Sequence, residues 1–387
     1  TRQTQLAEAR RAAEEQARSI KIWQDPEVMA GGMAAERMMR DREGDLMYGV
    51  EQALPVFGKE KAEREAARKG IEVEEAELEY RFQTLRKELA VALFAAALGD
   101  EELLIAREDL AWVELRAETV AERYAGGTAT QVELLRVRNE QSRLRERLRN
   151  AENLREDGYA TANRLLNRNL ISAWERLELP PAAGSPPPVY RLAELALKFD
   201  PRLKQMRRER EMAETMAEAT RKAKRPDLRA AVEGRQASRT GEGISATFLL
   251  KMSVPLWNRE KYRAAIRRDE AKVEELDSLI EDMGYEVSAE VHHLYSRIDN
   301  ARREALLYEN EIIPRTELAL ESAEGSWRAG EAAFGEVIET RRMLVEARTM
   351  RARAVAEQYR ALYELVLCCG LADLESIETL LNQEAKQ

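Results

Sequence analysis

Only two of the 387 residues are cysteine and two are histidine, aromatics make up 6%, and glycine and proline number 19 and 11. No apolar run reaches the roughly 18–20 residues of a membrane-spanning helix. Each shortage closes off a class of answer. Cys368 and Cys369 are adjacent, which suits neither a disulfide framework nor a zinc site, and they read as small buried apolar residues at a helix end. His292 and His293 are neighbours on a predicted helix. They project about 100° apart and cannot converge on one metal as an i,i+4 pair does. Acidic residues outnumber basic ones, 71 to 62, so a net charge of −9 leaves no footprint for nucleic acid. The missing apolar run excludes a transmembrane helix but not a membrane β-barrel, whose strands alternate and keep average hydropathy low. No P-loop, nucleophile elbow or glycine-rich dinucleotide turn is present, so neither an enzyme, a cofactor nor a metal site is expected.

What is present is a composition rich in Ala, Glu, Arg and Leu with 34% charged residues, typical of long helices and coiled coils. Proline spacing organises it. None occurs between Pro55 and Pro180 or between Pro255 and Pro314, and the one Pro-rich linker, 179–190, lies near the middle. The chain repeats itself about that linker. YGVEQALPVFGKEK (48–61) aligns without a gap on FLLKMSVPLWNREK (248–261), placing Pro55 on Pro255, Glu60 on Glu260 and Lys61 on Lys261. Asp25-Pro26 answers Arg225-Pro226-Asp227, and ERYAGGTATQVELL (122–135) matches GSWRAGEAAFGEVI (325–338) with Gly127 on Gly330. Three landmarks in one order indicate a duplication.

The first repeat, 1–178, is expected to hold a short helix, a β-hairpin over 26–56, a long helix over 57–124 and a return helix over 128–178. After the 179–190 linker, the second repeat, 191–387, should hold helices over 191–224, a hairpin over 226–255, a long helix over 256–327, a return helix over 331–369 and a C-terminal tail. Leu46, Tyr48, Val50, Leu54 and Val56 share one strand face, as do Ile244, Ala246, Phe248, Leu250, Met252 and Val254. Period-two alternation over about ten residues suits a strand separating lipid from water; a hairpin packed on a helix is the plainer alternative. Ile266, Val273, Ile280, Val287, Leu294 and Ala301 recur every seven residues and encode a supercoiled seam. Gly99-Asp100 and Pro314 are the expected kinks. The fold class is therefore mainly α with a small β part, duplicated internally. Four strands are too few to close a membrane barrel, so membrane strands would oblige several chains to share one.

These parts resemble the TolC-type outer-membrane efflux proteins. The resemblance rests on the duplicated strand–strand–long-helix–return-helix unit, on VPLWNREKYRAAI at the start of the second long helix, and on the Trp-x-Ala-Gly turn at 327–330. GVEQALPVFGK (49–59) looks most like the CzcC/CusC-like heavy-metal branch, where a Q-x-L-x-x-x-GK signature follows the second strand. The resemblance implies a homotrimer with a shared 12-stranded barrel in the outer membrane of a Gram-negative bacterium. It further implies a periplasmic α-helical tunnel that docks a periplasmic adaptor and an inner-membrane pump. Residues 1–23 stand where the family has an opening helix pair, and a trimmed N-terminus is the expected reason.

By the same resemblance, the turns at Gly127 and Gly330 are periplasmic tips that meet the adaptor. Glu336 and Glu339 share a helical face and would line the narrow periplasmic entrance, which a three-fold axis would ring with carboxylates. Glu133 is their counterpart in the first repeat, and Trp327 and Arg136 are expected among the contacts that hold the entrance closed. A plain turn and solvated surface charges are the structural alternatives. Met29, Met33, Met38, Met39 and Met47 crowd the first hairpin and read as apolar filler rather than a soft-metal site. A soluble coiled-coil scaffold or a periplasmic adaptor is the competing function; the heptads fit it, the alternating strands do not.

Overall fold

The computed structural model describes residues 2–33, 45–237, 241, 243–253 and 259–371. The elements run α1 (Arg2–Ser19), β1 (Glu27–Met33), β2 (Asp45–Leu54), α2 (Lys59–Ala125) and α3 (Gln131–Leu165), then α4 (Val189–Phe199), α5 (Pro201–Ala223), β3 (Asp227–Ala237) and β4 (Gly243–Ser253). They finish with α6 (Arg259–Leu307), a π-helical turn (Tyr308–Ile312), α7 (Ile313–Ala329) and α8 (Phe334–Cys368). Both halves carry the same strand–strand–long-helix–return-helix order, so the chain is mainly α with a small, duplicated β part. The chain divides into two compact units, Thr1–Glu79 with Arg202–Met283, and Tyr80–Pro201 with Gly284–Gln387, and α2 and α6 contribute to both.

The first unit holds one antiparallel sheet in the order β1-β2-β3-β4, so each half supplies a hairpin and the halves meet at β2–β3. Among the described residues β1 and β4 each have a single neighbour, which leaves two open edges. Alternation does what the sequence foretells. Val28, Val50, Val232 and Phe248 stand in one row across all four strands, and they are 77%, 48%, 47% and 81% exposed. Leu46, Tyr48, Leu250 and Met252 extend the same exposed apolar face. The opposite face carries Glu27, Glu51, Arg229, Glu233, Arg235 and Lys251. In the same unit Ala17 of α1, Ala62 and Ala66 of α2, and Ala217 and Ala219 of α5 are buried, and the pairs Arg10–Glu75 and Lys69–Glu211 join α2 to α1 and to α5.

The second unit packs two helical hairpins, α2–α3 and α7–α8, about Val113, Val120, Val137, Leu144, Leu320, Trp327, Phe334, Val337 and Leu344. Val287, Leu294 and Ala301 of the heptad series are buried on α6. α2 runs on as one helix through Gly99-Asp100, where the kink is expected. Gly99 serves close approach instead. A Cβ there would lie 3.1 Å from the Arg155 Cα, and one at Gly158 would lie 3.2 Å from the Ala96 Cα, so the two glycines let α2 and α3 touch backbone to backbone. At Pro314 the expectation becomes a π turn: the Ile313 N–H donates to the Tyr308 carbonyl, opening the coil just ahead of the ring.

The return helix ends at Leu165, not at 178. Asn167 takes φ 57°. The Arg168 N–H reaches the Asn163 carbonyl at 2.8 Å, the stop that a left-handed residue imposes. Residues 166–188 then form a non-helical strap that side chains, not backbone ladders, hold down. The wholly buried Asn163 donates to the Leu170 and Ser172 carbonyls (3.0 and 2.9 Å) and accepts the Trp174 indole N–H at 2.8 Å. Asp100 accepts from Tyr159, Arg155 and the Leu177 N–H. Burial alone would raise its pKa, but those three donors outweigh it and hold the carboxyl below its usual range. Gln358, also wholly buried, bonds both backbone groups of Ala183. At the end of α8 both cysteines are buried and form no disulfide, and burial pushes the Cys369 thiol up to about 12.

Candidate functional site

The two helical turns of the second unit are built alike. At the first, the Thr128 N–H donates to the Arg123 carbonyl (2.8 Å) and the Gly127 N–H to that of Tyr124 (3.0 Å). At the second, the Glu331 and Gly330 N–H groups donate to Ser326 and Trp327 at 2.9 and 3.1 Å. Both are Schellman stops, which need a left-handed residue; φ is 74° at Gly127 and 78° at Gly330. Beyond the turns the repeats diverge. Thr130 caps α3 in a capping box, its hydroxyl accepting the Glu133 N–H (3.2 Å) while the Glu133 carboxylate accepts the Thr130 N–H (3.0 Å). The other oxygen of Glu133 receives the Phe334 N–H at 3.4 Å, tying the α3 start to the α8 start. α8 begins at Ala333, which has no side-chain cap to offer.

The five predicted residues therefore separate. Glu133 is committed to the cap. Glu336 and Glu339 are exposed on one side of α8. Glu336 makes no side-chain hydrogen bond or ion pair among the described residues, and Glu339 meets only Arg342, at 3.4 Å. Arg136 is exposed and lies over the start of α8, its Nη1 2.7 Å from where a Cβ on Gly335 would sit. Trp327 is not a surface residue. It is 5% exposed, packs on Phe334 with centroids 4.9 Å apart and lies under the Arg123 guanidinium at 4.8 Å.

Behind the tips, ion pairs join the two hairpins, and the sequence reading missed them. The Glu324 carboxylate takes the Arg116 Nη2 at 2.8 Å on both oxygens, the Trp112 indole N–H at 3.2 Å and Arg328 at 2.7 Å. Burial alone would raise its pKa, yet Arg116 and Arg328 bring it below the usual range. Asp109 accepts from Arg341 at 2.9 Å, but there burial wins and raises the carboxyl. The Trp112 ring sits between the Arg116 and Arg341 guanidinia, 5.2 and 5.1 Å away. Arg342 binds the buried Glu140, which raises the guanidinium pKa further. Glu324–Arg328 is an i,i+4 pair within α7; only register and packing bring the other pairs together, and no local spacing announces them.

The polar face of the sheet is the second charged surface. Glu51 accepts Lys251 Nζ at 2.6 Å and Arg229 Nη1 at 3.2 Å. Among the described residues no three His, Cys, Asp or Glu side chains are grouped to hold a metal. His292 and His293 are exposed. Met29 and Met47 fall on the polar face of the sheet, while Met38 and Met39 lie outside the described residues, as does the side chain of Met33.

Residues 192–371 match the family model described as outer membrane efflux protein. No curated protein sequence matches the chain. Among solved structures the fold is similar to that of CusC, with a TM-score of 0.82 at 15% identity over 95% of this chain and 89% of that one; the study describes transmembrane channel formation. It is similar to the outer-membrane channel OprN, at 0.80 and 15% identity over 95% and 86%. VceC, an outer membrane protein of Vibrio cholerae, matches at 0.79 and 14% identity over 95% and 92%. The likeness to TolC-type efflux proteins drawn from the residues is borne out, by family over the second half and by fold over nearly the whole chain.

Proposed function

We infer that the chain is one protomer of a homotrimeric exit duct in a Gram-negative outer membrane, passively conducting cargo from periplasm to exterior. The observation that carries this reading is the sheet: one face exposed and apolar, the other charged, and both edges open. An exposed row of Val28, Val50, Val232 and Phe248 is costly in water and stabilising in hydrocarbon. Open edges in lipid would leave backbone groups unpaired at several kcal/mol each, so β1 of one copy must find β4 of another. Three copies then give twelve strands, within the range of closed outer-membrane barrels.

The helical hairpins supply the periplasmic tunnel, with Gly127 and Gly330 at tips that dock a periplasmic adaptor and, through it, an inner-membrane pump. Glu336 and Glu339, exposed on α8, would ring the entrance and favour cations, in keeping with the heavy-metal-like signature at 49–59. Gating consists of splaying the tips when adaptor and pump engage. The chain needs no catalytic group for any of this.

Purification in detergent, sizing, and insertion into planar bilayers test the reading. Heat-resistant trimers that form pores are expected, with the protein in the outer-membrane fraction. A monomer that stays soluble without detergent would instead identify a coiled-coil scaffold or adaptor.

A further inference from the structure

On the polar face of the sheet, like charges stand directly opposite one another. Arg229 faces Lys251 across β3–β4, and Glu27 faces Glu51 across β1–β2. Either pair alone is destabilising. They are tolerated because the two rows are neighbours on the same face. Glu51 takes both Lys251 and Arg229, and Arg229 also reaches Glu27 at 3.5 Å. Lys251 lies 4.0 Å from Glu233 as well. Glu51 is the shared member, and under its two cations it is only 7% exposed.

We propose that Glu51 sets the ion selectivity of the barrel section of the duct, by cancelling the paired cations of Arg229 and Lys251. The proposal rests on the reading of the chain as a pore-forming protomer whose polar sheet face lines the lumen. Symmetric closure turns the Arg229–Lys251 row into a belt of bases and the adjoining Glu27–Glu51 row into a belt of acids. Rings of charged side chains are what discriminate between ions in a channel. On this face Glu27, Glu51 and Glu233 stand against Arg229, Arg235 and Lys251, three acids to three bases per copy, so the barrel passes small ions of either sign and leaves discrimination to the helical entrance. Without Glu51, Lys251 loses its close partner and the basic belt prevails, favouring inorganic anions. Without Lys251, the acidic belt prevails and the preference reverses.

The test is the reversal potential of the full chain in planar bilayers under a potassium chloride gradient. Absence of pores from the unaltered protein would overturn the pore reading itself. Given pores, Glu51→Gln should shift the reversal potential toward the chloride side and Lys251→Gln toward the potassium side. The double variant, again balanced, should return to the original value. Both shifts should shrink as salt is raised, because counter-ions screen the belts. Reversal potentials that do not move, or that move in one direction for both single variants, overturn the proposal. Should Glu51→Gln fail to assemble, Lys251→Gln decides alone, and an unmoved or chloride-ward potential refutes it.

Discussion

Glu133 and Glu336 stand at the same position of the two duplicated hairpins, six residues after Gly127 and Gly330, and their carboxylates are employed differently. Glu133 closes the Thr130 capping box and holds the Phe334 N–H, whereas Glu336 follows an alanine cap and is exposed. Glu133→Ala should therefore lower stability by about 1 kcal/mol. Glu336→Ala should change it by less than about 0.5 kcal/mol. Thermal unfolding in detergent compares them, and equal losses would deny the division of labour.

Removing both exposed acids, Glu336→Ala with Glu339→Ala, should reduce cation preference or raise single-channel conductance in planar bilayers. The unfolding midpoint should hardly move, since both side chains are exposed. Unchanged conductance and selectivity would take the two residues out of the entrance.

Gly330→Ala puts a Cβ on a backbone at φ 78°, with nothing nearby to clash. The penalty is thus conformational, about 1–2 kcal/mol. Hydrogen exchange at the Gly330 and Glu331 amides, which close the turn, should quicken; unchanged protection would mean that the stop tolerates a side chain.

The pH dependence has a definite sign. The folded pKa of Glu324 lies below 4.5, so its contribution is present above that pH and is lost as pH falls through the folded value. Asp109 acts oppositely. Its folded pKa lies above 3.8, so its protonated form is favoured on folding and its contribution declines as pH rises through that window. Acid titration of the Trp112 fluorescence should report the loosening of Glu324, and Glu324→Gln should flatten the titration below pH 4.5.

Phe248→Arg places a charge on the exposed apolar face, costing about 2–4 kcal/mol at the middle of a bilayer. Heat-resistant trimers should be lost from the outer membrane. Thr247→Arg, one residue along and on the polar face, should still assemble. Equal tolerance of both would argue that the sheet does not meet lipid.

The coarse plan was legible because its signals are periodic and local: alternation around Phe248, heptads through Val287, Leu294 and Ala301, and glycines where helices reverse. Thr130-x-x-Glu133 was legible too, as a capping-box spacing, although the resemblance drew attention to an entrance acid instead. The burial of Trp327 is written in its seven-residue spacing from Leu320. The end of α3 at Leu165 was harder. It depends on Asn163 and Asp100 finding strap groups 7 to 77 residues away, and helix propensity carries no trace of that. The pairs Glu324–Arg116, Asp109–Arg341 and Glu51–Lys251 join residues 200 or more apart. They exist only once register is set.

A sheet with bare borders on β1 and β4 also says something about the life of the newly made polypeptide. Each copy carries two adhesive margins and an oily flank before it has companions, the circumstances in which strands join the wrong neighbour. On the proposed reading, meeting its sister copies quickly, or being chaperoned until it does, is consequently as much a condition of this fold as the burial of any side chain.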